Sequence, residues 1–160
     1  MTLRDDEASQ APNAAERSEW MGVLARADAS SLRAKMDGIG AHPAYQWMRR
    51  PEIGAVMARG RAGGTGQAFS LGEMTVTRCA LRLVDKPDIV GHAYVQGRNA
   101  EKAEQAALAD AMLQSAGSKQ QVLDVVIAPL RAEEAARRLT ARKKAGATKV
   151  DFFTLVRAEG

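Results

Sequence analysis

An α+β domain, an antiparallel β-meander of about four to five strands packed with N- and C-terminal helices, is the fold class this sequence predicts. Three observations predict it. Apolar residues recur at helical spacing as far as Asp28, alternate at a period of two between Tyr45 and Gly97, and return to a helical period after Gly97. The chain has 160 residues, 46% of them hydrophobic and 26% charged, which suits one soluble domain with its own core. Aromatics are only 4%, so that core has to be built mostly from Leu, Val, Ala and Met.

Residues 1–13 are acidic and polar and read as a flexible tail ahead of a single domain over 14–160. They contain no apolar h-region of a secretory signal, and the single cysteine, Cys79, fits a reducing cytoplasm. From Ala14, the spacing of Trp20, Val23 and Leu24 predicts a helix that stops near Asp28. "DASSLRAKMDGIG" offers Ser30 or Ser31 as an N-cap, a short helix carrying Leu32 and Met36, and a stop at Gly38 or Gly40. Pro43 turns the chain into extended structure. "AYQWMRR" then predicts a first strand, "IGAVMARGRA" a second, and "GQAFSLGE" a third that ends in a turn at Gly72. "MTVTRCALRLV" is the clearest strand: Val76, Arg78, Ala80 and Arg82 share one face, and Thr75, Thr77, Cys79, Leu81 and Leu83 the other. "DKPD" is a turn, and "IVGHAYVQG" returns as a strand.

"NAEKAEQAALADAMLQSAG" predicts a helix capped by Asn99 and stopped by Gly117, with a narrow face of Ala103, Ala107, Leu108, Ala111 and Met112. "KQQVLDVVIAPL" fits a strand through Leu123, Val125 and Ile127, but helix is the preferred reading, interrupted at Pro129 and resumed to Gly146. "TKVDFFTLVR" predicts a last strand that is apolar on both faces, with Phe152 opposite Phe153. Such a strand has to lie inside a sheet or meet a partner, which makes these two residues interface candidates.

The chemistry-bearing residues exclude more than they assign. With two histidines (His42, His92) and one cysteine, the chain offers no zinc or iron–sulfur site, and no catalytic set is assigned. His92 and Cys79 read as structural, the latter as an inert core thiol. The glycines of "RAGGTGQ" lack the spacing and the GKS/T ending of a P-loop and precede a strand. Gly63, Gly64 and Gly66 fit a hairpin turn that needs positive φ, or else a nest of amides for an anion. Local charge keeps the second reading open, because residues 45–100 carry eight Lys/Arg against four Asp/Glu. Arg61, Gly63, Gly64, Thr65, Gly66, Arg78 and Arg98 are therefore the anion-binding or interface candidates. A net charge of +4 also permits an RNA-binding sheet, or a stand-alone protein for a phosphorylated ligand. Sheets that bind RNA stack bases on exposed aromatics, and aromatics are scarce here.

"RAGGTGQAFSLGEMTVTRCALRL", "GHAYVQGRNAEKAEQAALADAML" and "KVDFFTLVR", in this order and spacing, resemble the PhnG family of the bacterial carbon–phosphorus lyase system. "EWMGVLARA" is similar to that family's opening helix, so the likeness spans residues 16–157. Asn99 stands where the family leads one to expect aspartate; either residue caps a helix. The resemblance implies a cytoplasmic protein of phosphonate catabolism that assembles with PhnH-, PhnI- and PhnJ-like subunits and a PhnL-like ATPase, without nucleic acid or membrane. It implies that the complex uses ATP and a phosphonate as substrates, releasing adenine, with no cofactor on this subunit. An accessory, non-catalytic role follows from that picture, as does the possibility of a homodimer when the chain is isolated.

Overall fold

The computed structural model describes residues 13–147. The expected last strand, with Phe152 and Phe153, lies outside the described residues. Two short helices come first, α1 (Ala14–Arg26) and α2 (Ala29–Asp37). The cap of α2 is Asp28, not Ser30 or Ser31: its carboxylate accepts from both of their amides, at 3.0 and 3.1 Å. An ionised oxygen is the better acceptor at the positive end of a helix, and the bond from the Ser30 hydroxyl (2.5 Å), followed by the amide bonds, lowers the Asp28 pKa.

Three strands follow: β1 (Tyr45–Arg61), β2 (Ala68–Leu83) and β3 (Val90–Gln96), antiparallel in the order β1-β2-β3. The described residues thus form a three-stranded meander. The extra strands expected from the sequence merge into long ones, because Pro51 and Gly72 interrupt the pairing without ending it. Register shifts fall between Trp47 and Arg49, between Arg49 and Glu52, and between Ala58 and Arg59, where bulges take up the extra residues. Pro51 has no N–H to give, and an edge strand is where a sheet tolerates that. The faces of β2 are as expected: Thr77, Cys79, Leu81 and Leu83 are buried, and Arg82 is exposed.

Asn99 caps α3 (Ala100–Leu113), accepting from the Lys102 amide at 2.8 Å. The helix ends four residues before Gly117, which instead lies inside α4 (Ala116–Val122). The π turn Leu123–Ile127 joins α4 to α5 (Ala128–Ala147), and Pro129 sits just past that turn, so the preferred helical reading holds. The expected narrow alanine face of α3 is too small a description. Every residue from Ala106 to Leu113 is buried, as are Lys102 and Ala103, since the helix runs between the sheet and the other helices. Small side chains let it be approached from all sides. Gly91 shows how close the approach is: a Cβ there would stand 2.0 Å from the Ala107 carbonyl oxygen.

Asp110 is the polar centre of this packing, with no exposed surface. Its Oδ1 accepts from Arg17 Nε (3.1 Å) and Trp20 Nε1 (2.8 Å), and its Oδ2 from Arg17 Nη2 (2.7 Å) and the His92 amide (2.9 Å). Gln114 Nε2 adds a longer contact to Oδ2 at 3.3 Å. One carboxylate therefore ties α1, α3 and β3 together.

Two substitutions test this packing by urea denaturation. Gly91→Ala should cost at least about 3 kcal/mol, because backbone rather than a movable side chain blocks the new methyl. Asp110→Ala should cost about 3 kcal/mol, because it leaves Arg17 and the Trp20 and His92 N–H groups without their common acceptor.

Candidate interface and charged patch on the open sheet face

Among the described residues the helices cover one face of the sheet and leave the other open. β3 pairs with β2 only as far as Val76↔Gln96. Beyond that row, β1 and β2 continue as a two-stranded ribbon to the turn Ala62–Gly64. A lone two-stranded ribbon is marginal in water, and this one is apolar on both sides. Ile53 (60% exposed) and Met57 (55%) lie on the face that runs on from the core side. Val56 and Met74 pair on the opposite face. Near the tip, Leu71 (65% exposed) and Phe69 (47%) fold over Gly60, where a Cβ would come within 2.9 Å of Leu71 Cδ1. Six of the nine large exposed hydrophobics among the described residues lie on β1 and β2. Concentrated exposure of this kind marks a surface that meets another molecule.

The glycine cluster forms the hairpin connection. Gly63 (φ 59°) and Gly64 (φ 83°) take left-handed conformations, Gly66 N–H donates to the Ala62 carbonyl at 2.8 Å, and Arg61 Nη1 donates to the Gly66 carbonyl at 3.3 Å. A Cβ on Gly66 would stand 2.6 Å from Ala62 O. Thr65 is exposed beside them.

The three candidate arginines are not brought together. Arg61 pairs with Ala68, ten residues along β2 from Arg78, a separation of roughly 30 Å at strand spacing. Arg98 follows Gly97, whose amide donates to Thr75 O, and so lies at a different level of the sheet from either. Among the described residues Arg98 makes no ion pair.

Register gathers a different set around Arg78. Glu52, Arg78 and Tyr94 form one row across the open face, and Arg49, Ala80 and His92 the next. Arg78 Nε and Arg49 Nη1 both donate to Glu52 Oε1, at 2.7 and 3.1 Å. The hydrogen bond from Arg78 to Glu52 and the Glu52 charge, with a smaller contribution from Tyr94, raise the Arg78 pKa further. The two rows surround a shallow depression of about 310 Å³. His92, expected as a hydrogen-bonded structural residue, has its ring on this exposed face, while its backbone amide makes the bond to Asp110. Sequence reading missed Arg49, Glu52 and Tyr94, which become neighbours only once the bulges set the register.

The sequence matches the family described as phosphonate metabolism protein PhnG over residues 15–158. The chain belongs to the PhnG family. It is also 42% identical, over 150 residues and 91% of each chain, to the alpha-D-ribose 1-methylphosphonate 5-triphosphate synthase subunit PhnG of Rhizobium meliloti (strain 1021). No helix among the described residues of this PhnG-family chain is long and apolar enough to cross a membrane. Nor, among those residues, do three or more His, Cys, Asp or Glu side chains converge as metal ligands would.

Cys79 is an interior thiol. It is buried, its Sγ–H donates to Ala103 O at 3.2 Å, and burial, aided by the Glu104 charge, pushes its pKa from 9.0 to about 12. The folded state therefore holds the proton through a range in which the unfolded thiol loses it, so stability from this group falls as pH rises above 9. At pH 9 the native protein should resist iodoacetamide, with alkylation at least about a hundredfold slower than in urea-unfolded chain; equal rates would refute the assignment.

Proposed function

We propose that this chain is an accessory subunit of a ribose 1-methylphosphonate 5-triphosphate synthase complex in carbon–phosphorus lyase chemistry, and that it acts by docking rather than by catalysing. One observation carries the reading. The β1–β2 ribbon exposes Val56, Met57, Phe69 and Leu71, and no other element among the described residues covers them. Burying a Phe or Leu side chain is worth about 1.5–3 kcal/mol, so an obligate partner surface would account for a ribbon that gains little alone. The curated relative is by name a synthase subunit, which supports the same view.

On this reading the partners are PhnH-, PhnI- and PhnJ-like subunits with a PhnL-like ATPase. ATP and a phosphonate are substrates of the whole complex, no cofactor is held by this subunit, and the setting is cytoplasmic. The glycine turn with Arg61 forms the tip of the docking element, and Arg98 a separate exposed cation on the same body. A second copy is a poor occupant of the ribbon. Beyond the Gly54↔Val76 row it carries Arg59 and Arg61 against Glu73, and the two arginines at the tip would face their own copies.

Phe69→Ser and Leu71→Ser should each leave the melting temperature of the isolated chain unchanged. Co-purification with co-expressed partner subunits should weaken at least about tenfold. Normal assembly by both variants would refute the docking role. Arg61→Ala should likewise affect assembly before turnover; intact assembly with lost adenine release would assign it a substrate contact instead.

A further inference from the structure

We propose that the depression over Ala80 on the open sheet face is a binding site for the oxyanion of a phosphate- or phosphonate-bearing ligand, held by Arg49 and Arg78. The inference rests on the complex-subunit reading above for its biological setting, but its geometry stands apart from the ribbon.

Ala80 supplies the floor. It is the small residue at the centre of a cross of longer side chains: Arg49 and His92 flank it across the strands, and Arg78 and Arg82 precede and follow it on the same face of β2. Of these arginines Arg49 and Arg78 line the depression, and the walls are completed by Met48, His92 and the exposed ring of Tyr94. The volume, about 310 Å³, lies at the lower end of the range of small-molecule sites.

The arginines already converge on an anion. Both donate to a single oxygen, Glu52 Oε1, so their reach and orientation for one shared oxyanion are set in the folded chain. Glu52 is a weak holder of that position. Its side chain is 45% exposed, it lies on the edge strand directly after Pro51, and the pair is of the exposed kind that contributes little. A phosph(on)ate brings up to twice the charge of a carboxylate and three oxygens instead of two, so it can satisfy both guanidiniums at once and displace Glu52 toward solvent. Arg82, one pair further along the same face, has no ion pair among the described residues and adds to the positive field of this side. The Tyr94 ring and Met48 give the non-ionic part of a ligand an apolar flank. The internal carboxylate acts as a placeholder, keeping the guanidiniums apart from one another and oriented until a stronger anion replaces it.

The test is titration calorimetry of the full chain with inorganic tripolyphosphate and, separately, with methylphosphonate. Saturable one-to-one binding of either probe is expected. Arg78→Gln and Arg49→Gln should each weaken it at least about tenfold, the worth of one charge-assisted bond. Arg61→Gln and Arg98→Gln should leave it unchanged. Glu52→Gln should tighten it by about threefold to fivefold, because the competing carboxylate is gone; an ion pair that only supports the fold would not give that sign. The proposal fails if neither probe binds, if all four arginine variants weaken binding alike, or if Glu52→Gln leaves affinity unchanged. It also fails if Arg49→Gln and Arg78→Gln abolish subunit assembly without any oxyanion binding, which would assign the pair to a partner's carboxylate. Failure of these titrations with assembly still dependent on Phe69 and Leu71 would remove the site and leave the docking role standing.

Discussion

A carboxylate with no access to water has to be saturated by donors, and the donors that Asp110 finds decide which sides of this molecule are closed. On β3, Gly91, Ala93 and Val95 turn their backbone groups to β2, as the flanking bonds from Leu83 N to Ile89 O and from Gly97 N to Thr75 O require. Val90 and His92 must then point outward along the free edge. Asp110 takes the His92 amide, while Arg17 and Gln114 donate to the Val90 carbonyl at 3.1 and 2.9 Å. Side chains of α1 and α3 stand in for the strand that is missing there. One edge of the sheet is thereby blunted and the same bonds seat the helices on its inner face.

What stays open follows from what is closed. With the inner face and the start of the β3 edge occupied, the molecule presents its outer sheet face, the β1 edge and the ribbon. The β1 edge is long, but it is a poor template for another strand, since two irregularities and Pro51 break its line of donors. Recognition on this side therefore falls to side chains more than to backbone pairing. The ribbon offers apolar contacts and the Ala80 depression offers charge, and the sheet register keeps the two apart along the strands.

Much of this was legible in the sequence, and the failures have physical causes. Periodicity placed α1, the face pattern of β2, the Asn99 cap and the two changes of regime, because each is a local property. Thr77 illustrates what pattern alone leaves out: it shares a face with Cys79 and Leu81 as predicted, but the pattern did not show that the helices cover that face, nor that its hydroxyl donates to Gly97 O and accepts from Asn99 N, pinning the turn into α3. The long strands were cut at Pro51 and Gly72 because a single sequence shows a breaker but not the partner strand that carries pairing past it. Arg61, Arg78 and Arg98 were grouped by sequence proximity to the glycine turn, whereas in a hairpin ten residues of strand are a large fraction of the molecule. Arg49 falls on the first predicted strand and Glu52 in the break after it, and only the bulge they straddle brings both to Arg78. Asp110 gave no signal at all: an aspartate in an alanine-rich helix reads as solvent-facing until the helix is known to be buried on every side.

The distribution of altered proton affinities separates the two sides further. Desolvation, aided by Glu104, pushes Tyr45 up to about 12; desolvation likewise raises Cys79 and lowers Lys102. All three shifts favour the neutral form, and all three groups belong to the helix side. There the Tyr45 hydroxyl donates to Glu104 and the Lys102 ammonium to Ala25 O at 2.9 Å. They are tied into the packing of the helix side. That face depends chiefly on arginines, whose charge persists at any pH the fold survives. General acid–base work calls for a group balanced between its two protonation states and aimed at the reacting atoms, and burial has moved these groups away from both conditions. The open face thus offers contact and fixed positive charge, while Tyr45, Cys79 and Lys102 on the helix side are shifted toward their neutral forms and serve the packing.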